Sequence, residues 1–244
     1  MSKYLLYGAI AFIVFTVSCC YYTPEPDIIR LKVDNRHKFY IMGAEYVKIE
    51  MGGIETNTAF IEAANGLLIF DVTVTNLTSH TVRVDPRQFY YIEVDTARNN
   101  LELNRNYAND PEYTIIEYDR LARKEEINYG NKQFGMAALG IAHLVTDMAV
   151  KDKSEEETEA NAYISDLILT QMDKNTMDHD KAVAELNSKK QPWIDDALRI
   201  TDLNPNEYIR GNVYFPVQFY AKRLKLFLIV AGTTITLDYN QFRY

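Results

Sequence analysis

The chain has 244 residues, 47% apolar and 25% charged, enough to build a core for one or two compact domains. Its 26 Lys+Arg stand against 34 Asp+Glu, a formal charge of −8, which argues against nucleic-acid binding through clustered positive charge. Both cysteines, Cys19 and Cys20, fall in the first twenty residues, so the rest of the chain offers no disulfide, thiolate nucleophile or Cys-based zinc site.

Lys3 is the only charge in residues 1–18, and Leu5 to Val17 form a thirteen-residue apolar run. Such a run spans about 20 Å as a helix, short of the roughly 30 Å hydrocarbon core, so residues 1–18 read as a signal peptide. Thr16-Val17-Ser18-Cys19 resembles the lipobox of bacterial lipoproteins, although Thr16 stands where that family usually has Leu. The resemblance implies cleavage before Cys19 and diacylation of its thiol. A register on Cys20, with Val17 three positions before it, stands as the alternative. By analogy with enterobacterial sorting, Cys20 in the position after Cys19, where Asp would retain the protein inside, favours the outer membrane. Pro24 and Pro26 bias residues 19–27 to an extended path, a tether between anchor and folded domain.

From Ile28 to Val94 the period is two. Val47, Ile49 and Met51 alternate with Lys48 and Glu50, and Leu68, Phe70, Val72 and Val74 alternate with Ile69, Asp71, Thr73 and Thr75. Gly52-Gly53, Asn65-Gly66 and the stretch from Asn76 to His80 supply turns. Residues 110–202 change to a helical period. Asp110-Pro111-Glu112 is a start signal, with an N-cap, a proline at the first helical position and an acid facing the dipole. Phe134, Ala138, Ile141, Val145 and Met148 follow steps of 4, 3, 4 and 3, expected to be the seam of a packed helix pair. A capping box at Ser154-Glu155-Glu156-Glu157 opens a second limb, whose seam reads Val183, Leu186, Lys190, Trp193, Ala197 and Ile200. Pro192 predicts a kink or restart there. After Glu207 the β pattern returns, with an apolar run at 224–231, a turn at Gly232 and a last strand to Tyr244.

Strands, then helices, then strands imply one β domain interrupted by helices, because neither strand zone can cover its own apolar face. The expected fold is α+β: an immunoglobulin-like antiparallel β-sandwich (28–109 and 203–244) carrying an α-helical hairpin or small bundle as an insertion (110–202). Phe70-Asp71-Val72-Thr73-Val74-Thr75-Asn76, Val84-Asp85-Pro86 and Phe89 resemble the strand–turn–strand core of bacterial immunoglobulin-like lipoprotein domains. Trp193 to Pro216, with Ala197-Leu198-Arg199, Asn204-Pro205-Asn206, Gly211 and Val213-Tyr214-Phe215-Pro216, is similar to the C-terminal signature of uncharacterised Bacteroidetes members with a helical hairpin. The shared residues are turn, strand and helix-exit positions, and the resemblance brings no catalytic residue.

The helical zone carries 11 Lys+Arg and 20 Asp+Glu, net −9, with nine acids and two bases between Asp152 and Asp180. It reads either as a solvated surface kept soluble by charge or as an acidic arm for a basic partner or cation. Chemistry is sparse. His143 and Asp147 share a helical face at i and i+4, but no further ligands have metal-site spacing. Asp178-His179-Asp180 are consecutive and point in different directions on a helix. There is no phosphate loop, nucleophile elbow or H-E-x-x-H motif, and Ser79, Ser154, Ser165 and Ser188 lie outside any strand-to-helix elbow. No metal, cofactor or catalytic residue is therefore expected. Tyrosine and phenylalanine pairs (Phe39-Tyr40, Tyr90-Tyr91, Phe219-Tyr220, with Tyr214 and Tyr239) offer a glycan platform if they face outward. Asn76-Leu77-Thr78 matches the N-glycosylation pattern, which a bacterial lipoprotein does not ordinarily use. The sequence thus points to a lipid-anchored envelope lipoprotein, non-catalytic, that binds another envelope protein or scaffolds. Carbohydrate binding through surface tyrosines is the alternative.

Overall fold

The computed structural model describes residues 28–34, 38–94, 105–149 and 155–244, with the side chains of all but 144–149 and 155–157. The expected signal peptide (1–18), Cys19, Cys20 and the tether (19–27) lie outside the described residues.

Two-residue periodicity becomes strands throughout. The first group is β1 (Ile29–Val33), β2 (Lys38–Ile41), β3 (Ala44–Met51), β4 (Ile54–Ala64) and β5 (Leu67–Asn76). Then follow β6 (Val82–Val84), a 3-10 turn at Pro86–Gln88, β7 (Tyr90–Glu93) and β8 (Asn106–Tyr107). Helices α1 (Pro111–Ala149) and α2 (Glu155–Asp195) come next, and the chain finishes with β9 (Thr201–Leu203), β10 (Tyr208–Pro216), β11 (Arg223–Val230) and β12 (Thr233–Arg243). One five-stranded sheet has the order β1-β12-β11-β7-β8, another β10-β5-β4-β3-β2, and β6 pairs with β9; every ladder is antiparallel. The fold is mixed α+β, with two α-helices and no closed barrel among the described residues.

Turn chemistry sets the registers. Ala64 pairs with Leu67 across Asn65-Gly66, which take φ of 53° and 75°, the left-handed pair a two-residue hairpin requires. The same loop length joins β11 to β12 at Ala231-Gly232. Both apolar runs read from the sequence bury alternate side chains: Leu68, Phe70, Val72 and Val74 on β5, and Leu224, Leu226, Leu228 and Val230 on β11. They share one hydrophobic cluster although they belong to different sheets. Rings cross between the sheets: Phe70 lies edge-on to Tyr239 of β12 at 5.3 Å, and Tyr91 of β7 to Phe215 of β10 at 5.8 Å. Each such fully buried large side chain stabilises by roughly 1.5–3 kcal/mol.

The helices leave and rejoin the sheets beside β10. Asp110 caps α1 by accepting from Glu112 N (3.0 Å), and Asn109 N donates to Tyr214 O (2.8 Å). At the far end α2 runs through Pro192 without a break and stops at Asp195. Ala197, expected to continue that seam, instead bridges in parallel to Asn212, and Ile200 is an exposed residue beyond the helix. The returning segment lies directly over Gly211. A Cβ there would stand 2.6 Å from Leu198 N, so only glycine admits the crossing.

Candidate functional site

A two-helix hairpin can hide one stripe per helix, so the residues chosen for that stripe decide what remains for a partner. Helices of 39 and 41 residues extend about 58–62 Å. Their base is charged and locked to the sheets. Lys190 Nζ meets Asp119 at 2.8 Å, Arg199 Nη1 meets Glu112 at 3.2 Å, and Arg87 Nη1 lies 3.8 Å from Asp110.

Farther out the shared seam holds polar groups beside half-buried Met136, Ile168 and Met172. Tyr129 hydrogen-bonds Thr176 Oγ1 (3.1 Å) and stacks on His179 with ring centroids 4.3 Å apart. Gln133 Nε2 donates to Met172 O and Thr176 Oγ1, both at 3.2 Å. His143 donates through Nε2 to Asn161 O at 3.1 Å, which fixes its tautomer. Gly140 faces Ile168 of α2. The seam on α1 is therefore Tyr129, Gln133, Met136, Gly140 and His143, all half-buried apart from the glycine's missing side chain.

The sequence-expected seam is on the opposite side. Phe134, Ala138 and Ile141 are exposed, and the side chains of Val145 and Met148 lie outside the described ones. On α2, Tyr163, Ile164, Leu167, Leu169 and Met177 are exposed as well. The expected α2 seam holds within the helix: Val183, Leu186 and Lys190 are half-buried and Trp193 is buried. The hairpin thus holds both polar and apolar groups inside, with Gln133 Oε1 and His179 Nδ1 buried without a hydrogen-bond partner, and presents further apolar groups outside. Glu159, Asp166, Asp173, Asp178 and Asp180 form its exposed acidic surface.

Elsewhere, polar clusters serve the fold. Asp71, on the outer side of β5, accepts Tyr46 Oη at 2.6 Å and Arg210 Nη2 at 2.6 Å while itself buried. Burial, and then the Asp71 carboxylate, raise the Tyr46 phenol above its usual range, and Asp71 raises the Arg210 guanidinium further. Asn76 is fully buried. Its Nδ2 donates to His80 O and Leu203 O, and its Oδ1 accepts from Thr78 N and Oγ1. The glycosylation-like triplet is a loop clamp. No sequence signal separates this Asn or Asp71 from ordinary strand and turn residues.

A half-open cleft of about 760 Å³ between β1 and the β2–β4 edge is lined by Arg30, Lys32, Lys38, Tyr40, Glu45 and Glu62, among others. Its central acid is already engaged, since Glu45 takes Lys38 at 2.6 Å and Tyr40 Oη at 3.1 Å. Among the described residues no three His, Cys, Asp or Glu converge as metal ligands. His179 turns into the hairpin seam while Asp178 and Asp180 face solvent, so that triplet is not brought together as a site. Of the candidate platform aromatics, Tyr91, Tyr214 and Tyr239 are buried, whereas Tyr40 and Tyr220 are exposed. On the outer side of the β11-containing sheet, Tyr90 stacks on Phe227 at 4.7 Å and abuts Tyr107 at 5.5 Å. No helix of the described residues is long and apolar enough to cross a membrane. In comparisons with protein-family models, curated proteins and solved structures, nothing matches this chain.

Proposed function

We propose that the chain is a lipid-anchored envelope protein whose immunoglobulin-like β-sandwich is a rigid base and whose helical hairpin binds another protein. The observation that carries this reading is the apolar face the hairpin turns to solvent. Apolar side chains on both helices are exposed, while the seam mixes hydrogen-bonded Tyr129, Gln133, Thr176 and His143 with half-buried Met136, Ile168, Met172, Val183 and Leu186. Exposed aliphatic and aromatic groups of this density are the material of protein interfaces, not of a surface kept soluble by charge. The anchor is Cys19, acylated after removal of residues 1–18, in an envelope membrane and more in keeping with the outer one. This rests on the lipobox-like run Thr16 to Cys19.

The test is crosslinking in native membranes, with a photoreactive amino acid replacing Leu167 in the full chain and, as a control, replacing Asp202 beside the sheets. A protein adduct from position 167 alone is the expected result. No adduct from 167, or equal adducts from both positions, overturns the hairpin as the binding surface. For the anchor, Cys19→Ala removes the acyl chains and leaves a soluble or uncleaved form. Retained acylation moves the assignment to Cys20.

The aromatic row Tyr107, Tyr90 and Phe227 favours a second reading, a carbohydrate-binding accessory lipoprotein. Retention on a glycan array, lost in Tyr90→Ala with the hairpin intact, is its signature.

A further inference from the structure

The stripe of α1 from Ile127 to Ile141 faces outward with no partner among the described residues, and it has the spacing of a coiled-coil seam. Ile127, Phe134, Ile141 and Met148 are each seven residues apart, with Asn131, Ala138 and Val145 between them. Among the described side chains, Phe134 is 78% exposed, Ile141 65% and Ile127 64%. The inward stripe of Gln133, Met136, Gly140 and His143 is on the opposite side of the same helix, so α2 cannot cover the outer one.

Two independent features describe what would cover it. Gly130 and Gly135 lie in the helix interior, where each costs about 1 kcal/mol relative to Ala. Nothing within 4 Å of either requires a missing side chain. Their small profile leaves room for a close approach, and nothing among the described residues makes one. The stretch from Ile127 to Met148 is also electrically neutral: Lys132 and Asp147 are its only Lys, Arg, Asp or Glu and their charges cancel, although the hairpin zone as a whole is strongly acidic.

We propose that the occupant is a second copy of this chain, its α1 packed on the first α1 about a two-fold axis. This deepens the reading of the hairpin as a protein-binding surface and rests on it. A two-fold pairing sets like stripe against like stripe, which suits a neutral heptad pattern and would penalise an acidic one. Three heptads span about 33 Å, and a helix about 10 Å across gives a footprint of about 330 Å² per copy. Interdigitated side chains roughly double the accessible area removed, to a total of about 1,300 Å², within the range of specific interfaces. A bilayer surface fits less well, because interfacial helices carry Lys and Arg beside their apolar stripe and this arm carries acids.

Ala138 falls at the middle of the stripe, so it lies near its own copy whether the two helices run parallel or antiparallel. The test uses the full chain in its membrane, with Ala138→Cys and, on the exposed surface of α2, Asp173→Cys, under mild oxidation. A disulfide-linked dimer from Ala138→Cys, beyond the background of Cys19 and Cys20 seen in the unaltered chain, is expected. Asp173→Cys should stay at background. Light scattering of the purified full chain in detergent should give twice the protein mass, falling to the monomer mass in Phe134→Glu/Ile141→Glu with unchanged helical circular dichroism. Background crosslinking by Ala138→Cys, or a double variant that remains dimeric, overturns the proposal. A monomer that still gives a Leu167-dependent adduct with a different protein overturns self-pairing alone. A monomer with no hairpin adduct overturns the hairpin as a binding surface as well.

Discussion

The indole of Trp193 packs on the ring of Tyr214 with centroids 4.1 Å apart, and the Tyr214 hydroxyl donates to Pro192 O at 3.3 Å. This pair fastens the last turn of α2 to β10, and both rings are buried. Trp193→Ala therefore empties the largest side chain at the junction and should cost about 3–5 kcal/mol in chemical denaturation. A loss under 1 kcal/mol would show that the hairpin base contributes little to the fold.

Gly211 makes the same junction possible from the strand side. Leu198 N donates to Asn212 O at 2.9 Å, and Asn212 N to Asp196 O at 2.6 Å, so the returning chain is stitched across β10. Gly211→Ala drives a methyl into the Leu198 backbone and should cost about 2–4 kcal/mol through overpacking and lost hydrogen bonds. The single tryptophan reports on this locally: its emission should shift toward that of an exposed indole, and unchanged emission and stability would contradict the crossing.

The strands were legible because alternation and turn residues agree. In Leu67–Asn76 the residues Leu68, Phe70, Val72 and Val74 recur at every second position, and Asn65-Gly66 fixes where the strand begins. Asp110-Pro111 likewise marks the start of α1. The phase of the hairpin was not legible. On α1 two stripes of helical spacing coexist, Phe134-Ala138-Ile141 and Gln133-Met136-Gly140-His143, and hydropathy selects the first. The structure packs the second, because Gln133, Tyr129 and His143 find hydrogen-bond partners on α2 and Gly140 lets the helices approach. Periodicity reports that a stripe wants cover, not which neighbour supplies it. The clamp made by Asn76 escaped for a related reason: its partners His80 and Leu203 are 4 and 127 residues away and follow no period.

Alkaline pH should unfold this protein in a characteristic way. Burial raises the phenols of Tyr91 and Tyr239 strongly, and those of Tyr46 and Tyr214 in the same direction. A raised folded value favours the neutral form, so its contribution is complete below the unfolded value of about 10 and is lost as pH rises toward the folded values. Tyrosinate absorbance for these four should appear together with loss of β circular dichroism, rather than in a smooth titration beforehand. The Tyr239 hydroxyl is buried without a hydrogen-bond partner. Tyr239→Phe should therefore raise stability at neutral pH by about 1 kcal/mol. A destabilisation of that size would show that the hydroxyl has a partner in solution.

Shortening the hairpin separates what holds the fold from what is displayed on it. Glu125 and Ala182 line one groove at the charged base, so a short Gly/Ser turn can join them in place of residues 126–181. The retained stub keeps Lys190–Asp119, Arg199–Glu112 and the Trp193–Tyr214 pair. The sheet cluster lacks any side chain from residues 126–181. What is removed is a half-buried seam, polar and apolar together, within helices that close on themselves, and its hydrogen bonds exchange for bonds to water at about 1 kcal/mol each. Closing a shorter loop lowers the entropic cost slightly, in favour of the folded state. The shortened chain should keep a cooperative β transition with a midpoint within a few degrees of the parent, and lose most of its helical signal. It should also lose the Ala138-centred dimer and every Leu167 adduct, since both positions are gone. If the cooperative β transition disappears instead, the long helices are part of the folding unit, and the apolar residues on their outer faces must be examined as contributors to its stability.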